Sequence, residues 1–228
     1  MSAVKNGERL LLRKYILICV LLGIVLLVGL TSRHAPSLLP AKQAPSLTIN
    51  KQPVTYSMHT FDPAAPPADM PALAAWEQAE CDSNFVSDAN VKARTEILDP
   101  AHGMVTVTGL KVILQLTINI WLPQGAAEHV IEHEQGHRQI AEHYYETADK
   151  VAEQIAAAYL GKQVSVSGAD LNFEINKLLQ QMGAEITSEY SKKLNPDLAQ
   201  NRYDDITDHS RNDVNAAEAV AEVLKDVQ

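Results

Sequence analysis

The spacing of apolar residues changes character along the chain. Residues 15–30 read YILICVLLGIVLLVGL, sixteen apolar or small residues without a charge. Residues 104–122, MVTVTGLKVILQLTINIWL, are rich in Val, Ile, Leu and Thr. In their second half Val112, Leu114, Leu116, Ile118 and Ile120 recur every second position. That is the period of a strand with one buried face. Gly109 marks a turn or bulge between two strands, and Pro123 ends the segment. Residues 55–61 and 90–98 form further, less regular extended segments. Downstream the period lengthens. Residues 126–160 hold strong helix formers and no proline, and Gly161 is the natural stop. Asp170 caps a second helix that runs to about Lys193, ahead of the breaker Asn195-Pro196. Residues 212–227 place Val214, Ala217, Val220, Ala221 and Leu224 on one helical stripe. Strands followed by helices predict an α+β fold, a small antiparallel or mixed sheet followed by a helical half. No internal repeat is found.

The first apolar run follows Lys5, Arg9, Arg13 and Lys14 directly. A basic flank and an uncharged run are the beginning of an export signal. No small-x-small cleavage site follows, which favours an uncleaved anchor across residues 15–31 over a cleaved signal peptide. The expected location is the cell envelope, anchored in the inner membrane with the domain in the periplasm, or secreted if the signal is cleaved. Residues 1–14 are then a basic cytoplasmic N-terminus. Eight of the eleven prolines lie in 31–71, so residues 32–71 read as a Pro-rich linker. The folded domain is expected to start between about residues 50 and 72 and to fill 72–228. At this length it is a single domain.

Charge narrows the partners. The net charge is −9, and the basic N-terminus hides a still more acidic remainder. Such a surface does not neutralise phosphates, so nucleic acid is excluded as a partner. Cys19 sits in the apolar run and Cys81 in the domain, so no intrachain disulfide is expected.

Candidate chemistry sits at His133-Glu134-Gln135-Gly136-His137. Two His four residues apart on a helix share a face and reach one ion. Glu134 then stands beside the ion's water without ligating, the arrangement of a zinc (Zn2+) hydrolase. Gly136 costs about 1 kcal/mol inside a helix relative to Ala, so something approaches the helix closely there. An inverted pattern overlaps, with His129 and His133 as ligands and Glu132 as base. The two sets exclude each other, because His129 and His137 are about 12 Å apart along the axis.

A catalytic zinc takes three protein ligands. His143 stands ten residues after His133, but the intervening Ile140 continues the helix and carries His143 about 9 Å past His137. His209 lies in a polar stretch, residues 203–210, read as a loop able to fold over the metal face, with acidic neighbours to orient its imidazole. A carboxylate from Glu153, Glu174 or Glu185 is the remaining alternative.

HEQGHRQIAE, taken with the later YDDITDHSRN, resembles a family of predicted secreted bacterial Zn-dependent proteases, defined as a domain of unknown function. The downstream element is matched by Tyr203, Asp204, Thr207, His209 and Ser210, and Leu122-Pro123 precedes the helix as in the family. The resemblance spans about residues 75–225. It implies a zincin-like fold, proteolysis, and His209 rather than His143 beside His133 and His137. Ile206 departs from it, standing where an acidic residue is common.

The resulting expectation is an exported zinc metallohydrolase that cleaves peptide bonds. His133, His137 and His209 hold the metal, Glu134 is the general base, and Tyr203 donates a hydrogen bond to the oxyanion. The partner is a peptide or protein substrate, added as a strand near Val112 to Ile120. The alternatives are a non-catalytic envelope protein with a structural zinc, or an amide hydrolase of cell-wall peptides.

Overall fold

The longest apolar run becomes one strand rather than two. The computed structural model describes residues 44–74 and 76–225, and in it His102–Pro123 is a single 22-residue strand, β4. Numbering in chain order, it is preceded by β1 (Ser46–Lys51), β2 (Thr55–Phe61) and β3 (Glu80–Asp99), and β5 (Gln163–Ser167) comes later. Gly109 marks a bulge. Lys92 of β3 faces Gly109 and Ala93 faces Val107, which leaves Thr108 without a partner. The extra residue inverts the parity of the strand. Val105 and Val107 are buried before it, and Leu110, Val112, Leu114, Leu116, Ile118 and Ile120 after it. One face therefore stays against the core along the whole strand. Burial of each such side chain stabilises the fold by about 1.5–3 kcal/mol.

β4 is the centre of a five-stranded sheet. β3 runs antiparallel along nearly all of one edge. Along the other edge β5, β1 and β2 follow one another, β5 antiparallel at 102–106 and the other two parallel at 109–114 and 117–123. Residues 112–120 thus have both edges occupied and cannot take up a substrate strand, contrary to expectation. Among the described residues, the outer side of β3 and the outer sides of β5, β1 and β2 pair with no strand. The region read as a Pro-rich linker contributes β1 and β2, so the folded part begins by Ser46. Pro53 lies between these two short strands, where no ladder N–H is lost. The expectations for residues 1–43, the apolar run at 15–31 included, lie outside the described residues. Among the described residues no helix is long and apolar enough to cross a membrane.

The helical half divides more finely than the sequence suggests. The helix expected over 126–160 breaks at Thr147 into α1 (Glu128–Glu146) and α2 (Ala148–Ala157). The break follows Tyr145, whose hydroxyl is tied to the carbonyls of Gln52 and Leu114 at 2.9 Å. α3 (Leu171–Lys193) starts where expected, with the Asp170 carboxylate accepting from Phe173 N–H at 3.0 Å. α4 (Asp197–Thr207) occupies most of the stretch read as a polar loop, and α5 (Ala216–Lys225) ends the described chain. The fold is α+β. α3 crosses β3, and α5 packs on α1 and α4 through Ile140, Tyr203, Val220 and Val223.

At the α3–β3 contact, a Cβ on Gly183 would stand 2.6 Å from the Ala89 carbonyl oxygen. Helix propensity favours Ala over Gly by about 1 kcal/mol, but overpacking against backbone costs about 1–3 kcal/mol. Gly183→Val, larger still, is expected to destabilise the protein by at least about 2 kcal/mol. Urea unfolding checks this, and an unchanged midpoint would refute the close approach.

Candidate metal centre

α1 carries His133 and His137 on one face, as their spacing requires. Their rings meet at 89° with centroids 4.6 Å apart, and the two Nε2 atoms are 3.1 Å from each other. Asp204 of α4 closes the triangle. Its Oδ1 lies 3.3 Å from His133 Nε2 and 3.0 Å from His137 Nε2. The group is enclosed, with His133 buried and His137 and Asp204 half-buried.

Hydrogen bonds to the other ring nitrogens set the tautomers. The Gln200 amide N–H donates to the His137 carbonyl at 3.1 Å, which turns its Oε1 toward His137 Nδ1 at 2.6 Å. That nitrogen must therefore donate. The Thr207 hydroxyl donates to the Tyr203 carbonyl at 2.8 Å, so its lone pair receives His133 Nδ1–H at 3.2 Å. Both Nε2 atoms are then left with lone pairs, facing each other and a carboxylate oxygen. Three such acceptors need a cation between them, either a metal ion or a proton on one imidazole. Tetrahedral zinc with bonds of about 2.0–2.2 Å spaces its ligand atoms about 3.3–3.5 Å apart. The observed separations are close to that, and the residues fit a divalent ion. Metal-ligating His commonly have their other nitrogen bonded in this way.

The electrostatics follow from the same enclosure. Burial opposes the charge on Asp204, yet where a proton rather than a metal ion joins the groups, hydrogen bonds from His133 and His137 hold its carboxyl well below the usual carboxylate range. Burial pushes His133 down; His137 is lifted despite burial by the Asp204 carboxylate. Glu134 is buried next to the group, and burial together with the acidic side chains around it pushes it up to about 8. It lines a polar cavity of about 180 Å³ together with His133, His137 and Asp204 and with Glu80, Cys81 and Ser83 of β3. Burial and Glu134 push the Cys81 thiol up, so it is no nucleophile.

The close approach anticipated at Gly136 is Tyr203. A Cβ on Gly136 would collide with the Tyr203 hydroxyl and ring. Tyr203 stacks on His133 with centroids 5.0 Å apart and donates to the His133 backbone carbonyl at 3.2 Å. It is fully buried and does not line the cavity. The expectation that it donates to an oxyanion is therefore corrected: its hydroxyl is committed to α1. His209 does reach the site, at the rim. Its Nδ1 is 3.5 Å from Asp204 Oδ1, but the group of converging donors is completed by Asp204, not by His209. Asp208, His209 and Ser210 all have positive φ (47°, 52° and 65°), a left-handed turn that costs about 1–3 kcal/mol per residue. It is held by the His209 N–H to the Asp204 carbonyl at 3.1 Å and by the Asp208–Arg211 pair.

The remaining candidates lie apart. His129 and Glu132 are exposed on another face of α1. His143 faces Glu146 at 3.8 Å. Glu153 is exposed, Glu174 pairs with Lys177, and Glu185 accepts from Tyr159. Local pattern does not single out Asp204 as a donor while its stretch reads as a loop. A signal was present: Gln200, Tyr203, Asp204 and Thr207 fall at i, i+3, i+4 and i+7, one face of a helix.

No family model, curated protein or solved structure matches the chain.

Removing a donor and removing a rim residue should differ sharply. Asp204→Ala is expected to weaken zinc affinity beyond the roughly 10–100-fold typical of an outer partner such as Gln200, and His209→Ala to stay within that range. Competition with a chromogenic chelator measures both. A larger loss for His209→Ala would reverse the assignment.

Proposed function

We propose that this chain is an exported or membrane-tethered zinc metallohydrolase that cleaves peptide bonds, with a zincin-like catalytic arrangement. One observation carries the reading: three inward lone pairs converge beside a buried carboxylate that ligates nothing, and all four groups line one cavity. A structural zinc needs four protein donors. Three donors that open on a cavity favour catalysis.

When bound there, zinc would supply Lewis acidity, polarising a carbonyl and acidifying a water. The protein's own residues do the rest. Glu134, which borders the cavity beside the donors without belonging to their group, takes in its ionised form the proton of the attacking water and returns it to the leaving amine. Gln200 and Thr207 hold the two imidazoles in the tautomers that leave Nε2 free. Tyr203 fixes the distance between α1 and α4. An extended peptide added to the unpaired outer edge of β3 would run past Glu80, Cys81 and Ser83, which line the cavity. The basic N-terminus and the apolar run at 15–31 suit export to the envelope.

The test is hydrolysis of an unfolded protein such as casein. A chelator should abolish it and zinc restore it. Glu134→Gln should keep its zinc and lose about 10²–10⁴-fold in kcat. Equal hydrolysis by the variant would refute Glu134 as the base.

A further inference from the structure

The cavity at the metal is small and polar, and a peptide substrate has side chains that must go elsewhere. Next to it lies a groove of about 530 Å³, within the roughly 300–1,000 Å³ usual for ligand sites. Its lining is of opposite character. It is lined by Phe61 at the end of β2, Pro123 at the end of β4, and Pro66, Met70 and Leu73 of the segment between β2 and β3. The two concavities share Glu77 and Gln78, the residues just before β3. A third groove, polar and lined by His129 and Arg211, also reaches Gln78. The metal cavity thus adjoins an apolar groove at Glu77 and Gln78 and a polar one at Gln78 and Ser210.

We propose that the apolar groove receives an apolar side chain of the peptide whose scissile bond lies at the metal donors. The proposal rests on the peptidase reading above and adds specificity to it. Continuity selects the occupant: a chain crossing the metal cavity leaves it past Glu77 and Gln78, directly into the groove. Chemistry selects its class. Proline, Met, Leu and Phe surfaces reward apolar burial at about 25 cal/mol per Å², whereas an acidic side chain would lose water there without gaining a cation. No Lys or Arg lines the groove, and Glu77 repels a second acid. The walls are set before binding. Backbone bonds from Ala65 to Asp62 and from Met70 to Pro67 turn the segment, Gln124 N–H is tied to the Phe61 carbonyl, and the Glu77 carboxylate caps Ala74 N–H. A preformed, proline-stiffened pocket loses little entropy on binding.

The experiment uses zinc-loaded Glu134→Gln protein, so that binding is read without cleavage. Fluorescein-labelled blocked hexapeptides carry a single Leu, Phe or Asp walked through each position, and anisotropy measures their affinity. At one position Leu and Phe are expected to bind at least tenfold tighter than Asp. Met70→Asp and Leu73→Asp should each reduce that preference to less than threefold with the zinc content unchanged. Equal affinity for Leu and Asp peptides at every position, or no peptide binding at all, would overturn the proposal. So would a preference that survives both substitutions. The parent reading fails separately: apolar preference without casein hydrolysis by the wild type sinks the peptidase and keeps the groove, and hydrolysis without preference sinks only the groove.

Discussion

Two imidazole nitrogens and a carboxylate oxygen face one another at about van der Waals distance or less, and the bonds made by both Nδ1 atoms turn the Nε2 atoms toward whatever cation sits between them. Without a cation this corner is one of the least favourable in the molecule, since three acceptors repel at short range in a partly dry site. Much of the surrounding structure serves to hold it. α4 lies against α1 closely enough for Asp204 to reach both rings, and that approach is possible because residue 136 has no side chain. Tyr203 then fills the space and bonds to α1. The left-handed turn after α4 stores strain beside the site and brings His209 and Ser210 to the rim.

The sheet has a different task. Its long central strand contributes Val107, Leu110, Val112, Leu114, Leu116 and Ile118 to the main core, more than any other element. It is also what places β3 at the site. β3 follows β4 from end to end, so its first residues come up beside the C-terminal end of β4, where the chain turns into α1. The carboxylates of that wall raise Glu134 further. Fold and chemistry meet at this point: the same pairing that buries the core delivers an acidic, partly desolvated wall to the metal donors.

Periodicity made the core legible, and short polar elements escaped it. The alternation from Val112 to Ile120 and the helix face of His133 and His137 are read directly from spacing, because each side chain's position follows from its own strand or helix. Gly109 and Gly136 announced a bulge and a close contact, but not that the contact would be Tyr203. β3 alternates small and polar residues such as Ser83, Ser87 and Ala89 on its inward face, too weak a pattern to stand out. α4 has Asp, Gln or Asn at five of its eleven positions and packs through Tyr203 and Ala199 against α1 and α5. Missing that helix hid Asp204 and moved the third donor to His209. Ligand identity is a tertiary fact, decided by which helix lands on which, and local pattern does not contain it.

The central claim is that these three atoms hold one metal ion. Crystals grown with equimolar zinc, measured on both sides of the zinc absorption edge, test it most directly. The account predicts one anomalous peak per chain, about 2.0–2.2 Å from His133 Nε2, His137 Nε2 and Asp204 Oδ1. A peak held by other side chains, or none at this corner, would contradict it.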